Sequence, residues 1–154
     1  IVINTQAYNT PELVTEIAKH SGNQSVIVSV DVKKNFFGKY KIYTDDGTMK
    51  RDLDPFEWIK RLEDIGAGEL LITSIDRDGT WDGYDLDFLK TITDSINIPV
   101  IANGGAGSLL HLSDAVKKSN VSALALGSMV VYQNKGMGVL VNFPNTEKIK
   151  NILL

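Results

Sequence analysis

The chain has 154 residues, 43% of them hydrophobic, which suits one domain with a sizeable core. Its formal net charge is −3, with both signs interspersed and no basic run, which argues against a nucleic-acid partner. Cysteine is absent, His20 and His111 lie far apart, and no apolar run approaches the roughly 18–20 residues that cross a bilayer; no disulfide, metal, cofactor or membrane partner is expected, and a cytoplasmic setting is.

The opening Ile1-Val2-Ile3-Asn4-Thr5 reads as the inside of a strand. Thr10 is expected to cap a first helix with Pro11 at its first position, and Leu13, Val14, Ile17 and Ala18 recur at helical spacing until Ser21-Gly22-Asn23. Val26–Val30 is β-branched almost throughout, the pattern of a strand buried on both faces, and it stops on Asp31. Lys39–Thr44 alternates, Asp45-Asp46-Gly47 turns, and Thr48–Arg51 returns, so a β-hairpin is inserted here. Asp54 is the N-cap of a second helix, with Pro55 at its first position, Glu57 completing a capping-box-like pattern, and Phe56, Ile59 and Leu62 inward.

Leu70–Thr73 is the next strand and runs into the loop Ser74–Tyr84. Asp85 is expected to cap a third helix with Leu86, Leu89, Ile92 and Ile96 inward. Pro99–Ala102 is a strand leading into Asn103-Gly104-Gly105-Ala106-Gly107; Ser108 caps a helix from Leu109 to about Lys118; Ala123–Leu126 is the last strand. A short helix near Thr146–Leu153 closes a less regular tail. This rhythm predicts an α/β fold: an incomplete TIM (βα)8 barrel of about five parallel strands with crossover helices and one inserted β-hairpin, residues 1–154 forming a single partial-barrel domain. An open doubly wound sheet is the competing arrangement.

Asp31 ends a strand where barrel enzymes place acid–base groups, its carboxylate flanked by Val30 and Val32; the plainer alternative is an ion pair with Lys33. Thr73–Thr80 gathers two carboxylates, a guanidinium, hydroxyls and a glycine, either as a self-bonded turn or as a loop in which Gly79 offers its N–H to an anion. Asn103–Gly107 before a helix start lets backbone amides approach a phosphate, and Gly127-Ser128 on the next strand is the natural second half, since barrels often bind phosphate between their last two strands. Either loop alone is equally a tight turn. Trp58 is expected to pack, Trp81 to cover the rim, and His111 carries no assignment.

These motifs, in this order, resemble the cyclase subunit family of imidazole glycerol phosphate synthase, from histidine biosynthesis. The carriers are Asn4-Thr5, Pro11-Glu12-Leu13, Val30-Asp31-Val32-Lys33, Gly66-Ala67-Gly68-Glu69, Thr73–Thr80 with Asp82-Gly83-Tyr84-Asp85, Ile98–Gly107 and Gly127-Ser128, spanning residues 1 to about 130. The resemblance implies a (βα)8 barrel that works with a glutaminase subunit, receives ammonia through the barrel, and closes the imidazole ring of a phosphorylated small-molecule substrate with two opposed aspartates. Asp31 matches the second of these. Asn4 and Thr5 match part of one phosphate site; Gly79, Gly104, Gly105, Gly127 and Ser128 match the other; Asp78 belongs to the active-site loop and Thr73 lines the pocket.

The departures set further expectations. The first catalytic aspartate, a glycine loop after the third strand and the charged ammonia gate have no counterpart in these 154 residues, so cyclisation by the chain alone is expected to be absent, and a homo-oligomer is expected to cover the open wall. Asn103 replaces the family's usual serine. Beyond Ser128 the tail looks more like paralogues that pass ammonia to sugar amidation in surface-polysaccharide synthesis, a second reading. A phosphate-binding, self-assembling module without turnover is a third.

Overall fold

The computed structural model describes residues 1–153. In chain order it contains β1 (Val2–Ile3), α1 (Thr5–Asn9), α2 (Glu12–Ser21), β2 (Ile27–Lys34), β3 (Tyr40–Thr44), β4 (Met49–Lys50), α3 (Pro55–Asp64), β5 (Glu69–Ser74), α4 (Leu86–Thr93), β6 (Val100–Asn103), α5 (Leu109–Ser119), β7 (Ala123–Leu124), α6 (Ser128–Val131) and α7 (Thr146–Leu153). Strand order is β4-β3-β2-β5-β6-β7, with β1 also paired to β2. The pairs β1–β2, β2–β5, β5–β6 and β6–β7 are parallel, whereas β2–β3 and β3–β4 are antiparallel, as an inserted hairpin requires. Because β5 occupies one edge of β2, β1 and β3 share the other, β1 against Ile27–Val28 and β3 against the last four residues of β2. The hairpin thus continues the sheet past the end of β1. The sheet does not close among the described residues, so the barrel is incomplete.

Among the described residues, helices pack on one face of this sheet. Val28, Val30, Val32, Leu70, Ile72, Val100 and Ala102 are buried in one cluster with Val14, Ala18, Ile59, Leu62, Phe88, Ile92 and Ala115 from α2–α5. The alternate residues Ile27, Ser29, Asp31, Leu71, Thr73, Ile101 and Asn103 are half-buried. The expectation that β2 is buried on both faces is therefore corrected: period-2 alternation sends every second side chain to a face that no helix covers.

Asp54 caps α3 as expected, accepting from the amides of Phe56 (2.9 Å) and Glu57 (3.2 Å), and Ser108 caps α5 through the amide of His111 (3.3 Å). Two expected caps fail. Thr10 ends α1, a short helix that the apolar spacing did not reveal, and α2 has no side-chain cap. Asp85 precedes α4 without capping it; its buried carboxylate accepts from the Tyr40 hydroxyl (2.9 Å) and pairs with Lys34 (3.4 Å). A buried carboxylate gains more from a charged partner than from a neutral amide, and this one clamps the hairpin to the start of α4. The Tyr40 hydroxyl beside it, then the Asp85 charge, hold the Lys34 ammonium above its usual range, while burial pushes Tyr40 up. The Tyr40 ring stacks on Phe88 at 4.0 Å. Strand ends also shift: β2 runs on to Lys34, held by the hairpin, and β7 stops at Leu124 because no further strand pairs with it. Trp58 packs in the core beside Tyr8, as expected. No helix among the described residues is long and apolar enough to cross a membrane.

Tyr84, buried just before α4, donates to the carbonyl of Ala125 at 3.0 Å, and burial pushes its pKa from 10.0 up to about 12. The folded state holds this proton more tightly than the unfolded chain, so the stabilisation is complete below pH 10 and is lost as pH rises towards 12. Urea unfolding should show stability falling between about pH 10 and about pH 12, and Tyr84→Phe should remove about 2–3 kcal/mol of that fall. An alkaline slope identical in the variant would refute this role.

Candidate functional site

Register brings the candidate residues into line. Asp31 lies opposite Thr73, Thr73 opposite Asn103, Asp31 opposite Tyr43, and Tyr43 opposite Lys50. Residues opposed in register project to one face. Asn103, Thr73, Asp31, Tyr43 and Lys50 therefore form a polar row across the uncovered face, at the C-terminal ends of the parallel strands. One layer deeper, Ser29, Leu71 and Ile101 are aligned by the same register.

Side-chain hydrogen bonds order this row. The Asn4 amide donates to Oδ2 of Asp31 (2.9 Å) and to the Ser29 hydroxyl (3.3 Å), and Ser29 donates to Oδ1 of Asp31 at 3.4 Å. The Asn103 amide donates to the Thr73 hydroxyl at 3.2 Å. Asp31 makes no ion pair with Lys33 among the described residues, so it is held by neutral donors rather than by a cation. The Asn4 side chain fixes Asp31, and the Thr5 hydroxyl accepts the amide of Asp45 (3.0 Å) at the hairpin turn.

The other candidates meet around one small pocket lined by Asp78, Gly79, Asn103, Gly104, Gly105, Ala106, Ala125, Gly127 and Ser128. The segment after β5 is a self-bonded turn: Thr80 donates to the Arg77 carbonyl (2.7 Å), and Asp76 accepts the Lys34 amide (2.6 Å). That folding leaves Asp78 and Gly79 exposed at its tip. The loop is therefore self-bonded, as the first of the two readings has it.

The glycines divide by physical need. A Cβ on Gly104 (φ +91°) would lie 2.7 Å from the Ser74 carbonyl oxygen, and one on Gly105 (φ +100°) would lie 2.3 Å from that of Gly83. These two are demanded by the close packing of the loops. A Cβ on Gly127 meets no heavy atom within 4 Å, so packing does not explain that glycine, which lines the pocket beside Ser128.

Ser29 was missed as a site residue, although its position two before Asp31 signals the same strand face. Tyr43 and Lys50 were missed because only the hairpin register sets them beside Asp31. Trp81 sits against the glycine loop, its carbonyl oxygen 2.4 Å from where a Cβ on Gly107 would stand. His111 lines a separate cleft with Lys34, Arg77 and Asp85. Among the described residues no group of three His, Cys, Asp or Glu side chains is placed to hold a metal ion.

A family model described as histidine biosynthesis protein matches residues 1–136. A Pseudomonas aeruginosa protein, provisionally named imidazole glycerol phosphate synthase subunit hisF2, is 39% identical over 149 residues, covering 97% of this chain and 59% of that protein. The imidazole glycerol phosphate synthase subunit HisF of Alkaliphilus metalliredigens is 41% identical over 132 residues, 86% of this chain and 52% of its own length. That of Chlorobaculum parvum is 44% identical over 129 residues, 84% and 51% respectively. The chain thus spans between 51% and 59% of the length of these curated relatives.

The two classes of glycine give a paired prediction. Gly105→Ala places a Cβ at positive φ and against backbone, and should cost more than about 2 kcal/mol in chemical unfolding. Gly127→Ala should change stability by less than about 0.5 kcal/mol. Equal losses of stability in the two variants would refute this division of the glycines.

Proposed function

Since the chain belongs to the histidine biosynthesis protein family, we propose that it forms the region of an imidazole glycerol phosphate synthase cyclase subunit that carries one reacting carboxylate and one phosphate site. The observation that supports this best is the row Asn103–Thr73–Asp31 beside the glycine pocket, on the one sheet face that no helix covers. Asp31 acts as general acid or base, its carboxylate held in one orientation by Asn4 and Ser29. Amides of Gly105 and Gly127 and the Ser128 hydroxyl take a phosphate, with Asp78 and Gly79 flanking and Thr73 bounding the substrate. The open face is completed by further βα units, and ammonia comes from a glutaminase subunit.

A single carboxylate cannot serve both faces of a ring-closing centre, so the chain alone is expected to show no cyclisation. Joined in one polypeptide to the additional βα units of a relative, it should cyclise in the presence of ammonia, and Asp31→Asn should lower kcat by about 10²–10⁴-fold. Retention of full turnover by Asp31→Asn would overturn the assignment. On its own the half-buried face favours association of two copies, and sedimentation at micromolar concentration should show a species heavier than 16.9 kDa. A stable monomer would contradict it.

A second reading is an ammonia-channelling paralogue for sugar amidation. It rests on the tail beyond Ser128, whose sequence departs from the usual final helix of the cyclase family. A folded, completed barrel that gives no cyclisation with ammonia would favour it.

A further inference from the structure

Three loops meet at the glycine pocket, and the last of them follows a short strand. β7 pairs with β6 through Ala123 and Leu124, and the Ala125 amide adds one bond, to the Ala102 carbonyl at 2.8 Å. No strand among the described residues flanks β7 on its other side. A further tie comes from across β6. Tyr84, buried at the end of the loop after β5, donates its hydroxyl to the Ala125 carbonyl at 3.0 Å. Its neighbour Gly83 donates its amide to the Gly105 carbonyl at 2.8 Å. Ala125 and Gly105 belong to opposite walls of the pocket, so two consecutive residues grip both walls. In a trans peptide the C=O and N–H point in opposite directions. The bond to Gly83 therefore turns the Ala106 amide away from Gly83. Ala106 is buried and lines the pocket, yet neither its amide nor that of Gly127 donates to a backbone carbonyl among the described residues. A buried amide left unpaired is costly, so this pocket asks for an acceptor from outside the chain.

We propose that Tyr84 is a positioning residue of this pocket: by holding the Ala125 carbonyl it sets the Gly127–Ser128 wall against the Gly105–Ala106 wall, so that amides from both reach one small oxyanion. The proposal rests on the reading of the glycine pocket as an anion site and adds what holds that site in shape. Tyr84 does not touch the anion. Its hydroxyl is occupied by Ala125, and it acts on the ligand only through that peptide. A phenol suits the task, because its ring is stiff and has few torsions to freeze. Burial pushes its pKa up to about 12, so the hydroxyl remains a donor throughout the neutral range. Gly83 serves the other wall through its backbone, which no side-chain replacement removes.

The probe is inorganic phosphate, titrated into the full chain at neutral pH by calorimetry and followed at backbone amides by NMR. In the parent the Ala106, Gly127 and Ser128 amides should shift. Tyr84→Phe keeps the ring and its packing and removes one hydrogen bond, and its phosphate affinity should fall about fivefold. At saturating phosphate the shift at Ala106 should survive in this variant, whereas those at Gly127 and Ser128 should shrink, because only their wall loses its tie. Thr93→Val controls for stability alone. It removes the bond from the Thr93 hydroxyl to the Ser119 carbonyl (2.8 Å), neither of which lines the pocket, and should leave the phosphate affinity unchanged. Unchanged affinity in Tyr84→Phe, with the parent binding at the glycine pocket, would overturn the role of Tyr84 and leave the proposed function standing. An equal loss of affinity in Thr93→Val would do the same. A parent in which phosphate shifts none of these amides would overturn the anion pocket, and the role of Tyr84 with it.

Discussion

The organising constraint is the two-residue period of the strands set against helices on one side only. In β2, β5 and β6 the apolar residues Val28, Val30, Val32, Leu70, Ile72, Val100 and Ala102 pack under α2–α5, which fixes the register of each strand against its neighbour. A slip of one residue in β2 would send Asp31 into that core and expose Val30 or Val32, at a cost no carboxylate could offset without a partner. The position of Asp31 beside Thr73 therefore follows from hydrophobic burial on the opposite face. The functional row is a consequence of the core.

Three further devices refine what the core places. Asn4, at the end of β1, reaches across to Asp31 because β1 and β2 are parallel neighbours, and it draws Ser29 into the same small network. The hairpin continues the sheet above β1 and is tied down twice, by Asp85 on its outer face and by Thr5 at its turn. Gly104 and Gly105 let the loop after β6 press against the loop after β5, where any side chain would collide with a carbonyl oxygen. Carboxylate, hairpin and glycine pocket thus sit at one rim on three independent supports. In the proposed cyclase this separates the group that moves protons from the groups that hold anions.

The two missed caps teach the same lesson from opposite directions. Thr10 and Asp85 are the residue types that cap helices, and both stand at the right place to do so. Thr10 instead ends a short helix, Thr5–Asn9, whose sequence has too few apolar positions to show a period. Asp85 is recruited by Lys34 and Tyr40, which lie 51 and 45 residues away and become neighbours only through the hairpin. Local preference names the candidates for a role, and a buried charge takes the strongest partner that the fold delivers.

The sequence by itself determined the order and type of the main elements, the hairpin, the caps at Asp54 and Ser108, and the location of Asp31, Thr73 and Asn103 towards the C-terminal ends of their strands. All of these depend on periodicity, turn chemistry and position along one strand, which are local properties. It also held the motifs from Asn4 to Ser128 by which the chain resembles its family. Only the tertiary structure decided which face stays open, that Asn4 and Ser29 hold Asp31, and that Tyr43 stands opposite Asp31 on one side and Lys50 on the other. Those facts are relations between strands, set by register across the sheet and by which side the helices cover, and no single segment contains them.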